Sequence, residues 1–89
     1  MAKADWNGFK QGDQVVMLIA TRGETADGEE LVYCTGSLAV IDVIDHFGPE
    51  QGDGVHVVIG ESERSIVNVF DDSDVLQCGG LPFKHADPA

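Results

Sequence analysis

Gln11-Gly12-Asp13-Gln14-Val15 and Gln51-Gly52-Asp53-Gly54-Val55 are near copies of one phrase, and each opens an apolar run. Both read as a turn feeding a buried strand. Gly supplies the positive φ that a tight turn needs, Asp accepts hydrogen bonds from backbone amides, and the Val, Ile and Met that follow prefer a pleated, buried surface. The two sequences diverge after Ile19 and Ile59, so the repetition reflects shared turn chemistry and not a duplicated unit. This punctuation describes a small β-barrel and no reaction.

Working outward, the first strand is expected over 14–20, followed by a polar, acidic loop over 21–30 that contains Gly23, Asp27 and Gly28. A second, long strand runs from Leu31, kinks or bulges at Gly36, and continues through Leu38-Ala39-Val40-Ile41-Asp42-Val43-Ile44. After a loop over 46–54, Val55–Ile59 and Ile66–Phe70 flank a short turn, Gly60 to Ser65, and form a hairpin. Asp71-Asp72-Ser73-Asp74 predicts a single helical or 3₁₀ turn, Val75–Cys78 a last short strand, and Gly79-Gly80 a break before the tail. One segment reads two ways. Val40, Val43, Ile44 and Phe47 are spaced as on a helix, with Ser37 able to cap it and Gly48-Pro49 able to end it. Its β-branched residues and its Asp residues near the end where a helix disfavours anions favour a strand.

The expected fold is therefore all-β: one domain over 1–89, with five strands over about 9–78, one short helical turn before the last strand, and flexible or packing tails at 1–8 and 79–89. This order resembles an SH3-like barrel. Such a resemblance implies a fold and little about function.

Composition removes several classes of function. Sixteen Asp and Glu stand against five Lys and Arg, a formal charge of −11 on 89 residues. Lys3, Lys10, Arg22, Arg64 and Lys84 are scattered, so direct nucleic-acid binding, which relies on neutralising phosphates, is not expected. The acids suit solubility, a cationic protein or peptide partner, or mimicry of nucleic acid in another protein's basic groove. No apolar run is long enough to span a bilayer, and no secretory pattern follows Met1, so a cytoplasmic location is expected. Cys34 and Cys78 fall in expected strands and read as reduced core thiols, with a disulfide between them as the alternative.

Candidate chemistry is sparse. Asp42, Asp45, His46, Asp53 and His56 are the right residue types for a divalent metal, but their spacing matches no metal motif. There is no G-x-S-x-G elbow and no phosphate-cradling Gly loop, so no cofactor is implied. Phe9-Lys10-Gln11-Gly12-Asp13-Gln14-Val15 and Val67-Asn68-Val69-Phe70 resemble the F-x-x-G-D-x-V and V-Q-I-Y segments of the plasmid-borne type II dihydrofolate reductases. That resemblance implies a pore lined by Asn68 and Phe70, although the family's pore lysine falls near Val16 or Met17 here.

A non-catalytic binding or assembly module fits the residues better. Tyr33, Phe47 and Phe70, with Trp6, are candidates for an aromatic patch rimmed by carboxylates. Val15–Ile19, Leu38–Ile41 and Val57–Ile59 are apolar on both strand faces, which calls for a covered exterior and predicts a homo-oligomer, most simply a dimer.

Overall fold

Seven strands and one helix make up the computed structural model, which describes residues 5–60 and 64–86. The strands are β1 (Gln14–Met17), β2 (Thr21–Glu24), β3 (Glu30–Tyr33), β4 (Leu38–His46), β5 (Asp53–Ile59), β6 (Ile66–Asp71) and β7 (Phe83–His85). The helix α1 (Asp72–Cys78) lies between β6 and β7. Five strands form one antiparallel sheet in the order β6-β5-β4-β1-β7, and β2 and β3 form a separate hairpin. The protein is thus mostly strand, with one short helix before the last strand, as expected. Among the described residues the sheet ends at β6 and β7 and no closed barrel forms.

The repeated phrase works as read from the sequence. Gly12 and Gly52 adopt φ of 90° and 76°, values open to Gly at little cost. Asp13 Oδ2 accepts from the Lys10 amide at 2.9 Å, and the Gly12 amide donates to the Ile41 carbonyl at 2.8 Å. That Lys10 amide, against the opposing effect of burial, holds the Asp13 carboxyl below its ordinary 3.8, helped by the His85 imidazole and the Lys10 charge. In the second phrase the Asp53 carboxylate meets His46 Nδ1 at 2.8 Å, while the Asp53 amide donates to Asp72 Oδ2 at 2.9 Å.

β4 resolves the ambiguous segment as a strand, paired on both sides. Between Ile41 and Val43 its register against β5 shifts, leaving Asp42 as the extra residue of a bulge. The bulge moves the inward positions from Ala39 and Ile41 to Ile44, so a bent strand carries a spacing that imitates a helix. The β5–β6 hairpin forms as expected, although part of the turn from Gly60 to Ser65 lies outside the described residues.

Four expectations within 21–78 are corrected. The segment 21–30 is not simply a loop, because Thr21–Glu24 pairs with Glu30–Tyr33. The second strand is not continuous from Leu31: β3 leaves the sheet, and Gly36, at φ 97°, turns the chain before β4. Val75–Cys78 is helix and not strand. Asp71 caps α1 by accepting from the Asp74 amide at 3.1 Å, while Asp74 Oδ2 accepts from the Asp71 amide at 3.0 Å. Burial alone would raise the Asp71 carboxyl, but the Ser73 hydroxyl, the Asp74 and Ser73 amides and the Asp74 side chain together hold it below 3.8. Finally, Cys34 and Cys78 are exposed free thiols and not core residues, since one follows β3 and the other ends a helix with no buried residue.

The last strand of the sheet is β7, in the segment read as a tail. Phe83 is buried against Phe9 (4.8 Å between ring centroids), Phe70 (5.8 Å) and Trp6 (6.0 Å). Trp6 also donates Nε1–H to Asp72 Oδ1 at 2.9 Å, which ties the segment before β1 to the start of α1. These aromatics close one end of a core built from the inward residues of β1, β4, β5 and β6, including Val15, Met17, Ile41, Val57 and Ile66.

Candidate functional site

Alternation along the sheet strands sends one set of side chains into this core and the other outward. On β6, Ile66 and Phe70 are buried while Val67 and Val69 are exposed; on β4, Ala39, Ile41 and Ile44 are buried while Leu38, Val40 and Val43 are exposed. Register lines the outward residues up across the strands. Gln14, Val40, Val58 and Val67 form one row, Val43, His56 and Val69 a second, and Lys84, Val16 and Leu38 a third. Seven of these ten side chains are aliphatic. Leu38 and Val67 retain 59% and 53% of their accessible surface, although a monomer gains nothing by placing them in water.

An aromatic residue extends the face. Gly54 points to the same side as His56, and a Cβ there would lie 2.7 Å from Phe47 Cε2. The missing side chain therefore makes room for the Phe47 ring, which lies 5.6 Å from the His56 ring, centroid to centroid. The loop that carries Phe47 closes on itself through the Phe47 amide and the Gly52 carbonyl at 2.8 Å.

Charge is distributed unevenly over this surface. Lys84 lies on the edge strand β7, while Asp42, turned outward by the bulge, sits on the central strand β4 between the Val40 and Val43 rows, with half-buried Asp45 beyond them. The Asp42 carboxylate thus stands between two of the apolar rows. Of the other acids, Glu29 and Glu30 of the hairpin pair with Arg64 (3.1 Å) and Arg22 (3.5 Å), Asp71 ends β6 opposite Gly54 and caps α1, and Asp72 and Asp74 belong to the first turn of that helix. An open cleft between the Pro49–Gly52 turn and α1 is lined by Glu50, Asp72, Ser73 and Leu76. Both Asp72 oxygens are occupied there by Trp6 and Asp53, which makes that carboxylate a structural tie.

The residues singled out in the sequence go to different places. Phe47 lies on the outer face. Phe70 is in the core, and Asn68 is half-buried on the inward side of β6, with Oδ1 3.4 Å from where a Gly23 Cβ would stand. Tyr33 is half-buried on the hairpin and donates its hydroxyl to the Arg64 carbonyl. Trp6 is buried. No aromatic cage forms from them. Among the described residues, no three His, Cys, Asp or Glu side chains are grouped to hold a metal ion, and no helix is long and apolar enough to cross a membrane.

No protein-family model, curated protein or solved structure matches this chain. Its function must be read from its surface. The outward Val67 and Val69 were the residues sequence reasoning passed over, and the signal was present: Ile66-Val67-Asn68-Val69-Phe70 is apolar at four of five positions, so both faces of that strand carry apolar side chains.

Proposed function

We propose that this chain is a small, non-catalytic binding or assembly module, and that the outer face of its five-stranded sheet is the working surface. The supporting observation is the contiguous set of seven aliphatic side chains with Phe47 beside them, placed where the sheet meets water. Completing the burial of a half-exposed Val or Leu is worth on the order of 1 kcal/mol. The five exposed ones, Leu38, Val40, Val43, Val67 and Val69, offer on the order of 5 kcal/mol before the costs of association are subtracted, so these side chains supply part of the affinity a partner needs and not all of it. The strand order β6-β5-β4-β1-β7, with a hairpin inserted between β1 and β4 and a helix before β7, supports the resemblance to SH3-like barrels. Folds of that kind serve as adaptable platforms for contact surfaces.

The native mass of the chain in cleared lysate tests the reading. It should exceed 9.5 kDa, and a Val40→Asp, Val67→Asp double variant should return it to the monomer value. A wild-type chain that runs at the monomer mass in lysate defeats the proposal.

A further inference from the structure

The geometry points to Asn7 as a site of spontaneous covalent modification, where the side-chain amide is exchanged for water through a cyclic imide closed by the Gly8 backbone nitrogen. Trp6-Asn7-Gly8-Phe9 is a two-residue turn, closed by the Trp6 amide on the Phe9 carbonyl at 2.8 Å and the Phe9 amide on the Trp6 carbonyl at 2.9 Å. Asn7 and Gly8 have φ of 52° and 86°, the signs of a type I′ turn, for which Asn-Gly is a preferred pair. Asn7 is exposed, and nothing lies within 4 Å of where a Gly8 Cβ would stand.

Ring closure needs an electrophilic side chain directly before a backbone nitrogen that is free to approach it. Neither the Gly8 amide nor the Asn7 carbonyl is hydrogen-bonded among the described residues. The peptide between them can therefore rotate while both Trp6–Phe9 bonds stay in place, and Gly8 makes the rotation inexpensive. The chain has other steps of related chemistry, Gln11-Gly12, Asp27-Gly28, Gln51-Gly52 and Asp53-Gly54, and each is held. Gly12, Gly28 and Gly52 donate their amides to Ile41 (2.8 Å), Thr25 (2.9 Å) and Gly48 (2.8 Å), and Gly54 is clamped in β5 between β4 and β6. Asp27 and Asp53 also offer carboxylates, which are poor electrophiles, and Gln must close a larger ring. Asn68 is paired in β6 opposite Val57 and is followed by β-branched Val69.

In the first step the Gly8 nitrogen loses its proton and bonds to Asn7 Cγ, while the Cγ–Nδ2 bond breaks and ammonia leaves, taking up a proton equivalent to the one lost. Water then opens the imide, its hydroxyl going to a carbonyl carbon and its proton to the nitrogen. No electrons are transferred. Attack at Cγ gives ordinary aspartate. Attack at the Asn7 main-chain carbonyl carbon routes the chain through Cγ and inserts Cβ into the backbone as isoaspartate. A two-residue turn lengthened in this way cannot keep both bonds between Trp6 and Phe9. Both rings are buried, both pack on Phe83, and Trp6 holds Asp72, so isoaspartate at this turn loosens the aromatic end of the core.

The purified chain, kept in neutral buffer at physiological temperature and mapped by mass spectrometry over time, tests the assignment. The peptide containing Asn7 should gain about 1 Da and become a substrate for protein-isoaspartate methyltransferase. Its rate in the folded protein should fall within about tenfold of that in urea, because opening the turn costs little, whereas folding should slow Asn68 about a hundredfold or more. Asn7→Gly keeps a residue suited to positive φ and should abolish the gain at this turn. The isoaspartate fraction, separated by ion exchange, should show a red-shifted Trp6 emission and a lower urea midpoint than unmodified protein, while Asn7→Asp should match the unmodified protein.

An Asn7 that stays intact in the folded chain while the urea-denatured chain is converted overturns the inference. So does an Asn7 that is intact in both, or an Asn68 converted as fast as Asn7 in the folded protein. Isoaspartate that leaves the Trp6 emission and the urea midpoint unchanged refutes its link to the core.

Discussion

Replacing Phe83 by Ala tests whether β7 belongs to the core or merely follows it. Phe83 is 1% exposed and contacts three aromatic rings, with Phe9 edge-on at 4.8 Å and Phe70 edge-on at 5.8 Å. Phe→Ala at a fully buried site costs about 3–5 kcal/mol, combining lost transfer energy with the cavity left behind. Edge-to-face pairs add about 0.5–1.5 kcal/mol each beyond area, so the upper half of that range is expected. A domain of this length has a total stability of roughly 4–13 kcal/mol, at 0.05–0.15 kcal/mol per residue. The substitution should therefore remove a third or more of it. Urea unfolding followed by the fluorescence of Trp6, the single tryptophan, and in parallel by circular dichroism gives the difference in free energy. Trp6 itself lies 6.0 Å from Phe83, so only coincident transitions by both probes count as a measurement. A loss below about 1 kcal/mol would mean that Phe83 is not packed as described and that the sheet ends at β1.

Three further outcomes follow from other parts of the molecule. Asp71→Ala should cost about 1 kcal/mol at neutral pH through loss of the α1 cap; because the folded-state pKa of Asp71 is depressed, that contribution is present above the ordinary 3.8 and vanishes as the pH falls through the folded value. Urea midpoints that differ equally in neutral and acid solution would remove the charge from the account. Gly54→Ala places a methyl group against the Phe70 carbonyl and 2.7 Å from Phe47 Cε2, so it should destabilise by about 1–3 kcal/mol and displace the Phe47 ring, read as a change in its contact with His56 by NMR. Cys34 and Cys78 should both react with a thiol reagent in the native protein; reaction only after denaturation would contradict their exposure.

The sheet strands that read well from sequence were those in which β-branched residues dominate and turn formers stand at both ends, namely β5 and β6. The hairpin of β2 and β3 was illegible because Thr21-Arg22-Gly23-Glu24 has almost no apolar content; its pairing is imposed by the Ala26–Glu29 turn and by packing of β2 on β6. α1 was underestimated although its signals were present. Asp71 and Asp74 stand at capping-box spacing, and Gly79 is the left-handed C-cap, but Val75-Leu76 drew the reading toward a strand. β7 was lost among Gly and Pro, where three residues are too few for any periodicity. Of the candidate site, the expectation of an outer surface needing cover was legible from strands apolar on both faces. The aromatic patch was not, since side-chain identity does not say whether Phe70 and Tyr33 point inward.

Trp6 and Phe83 touch each other, and Asp13 meets His85 at 3.2 Å across a sequence separation of 72. During synthesis, everything up to β6 and α1 can emerge from the ribosome without the strand that seals the end of the core. The nascent chain would then hold its outer valines and its unsealed interior exposed together, and such non-local closure is slow, on the order of milliseconds to seconds. The interval between making residue 6 and making residue 83 is the time in which this chain most needs protection from its neighbours.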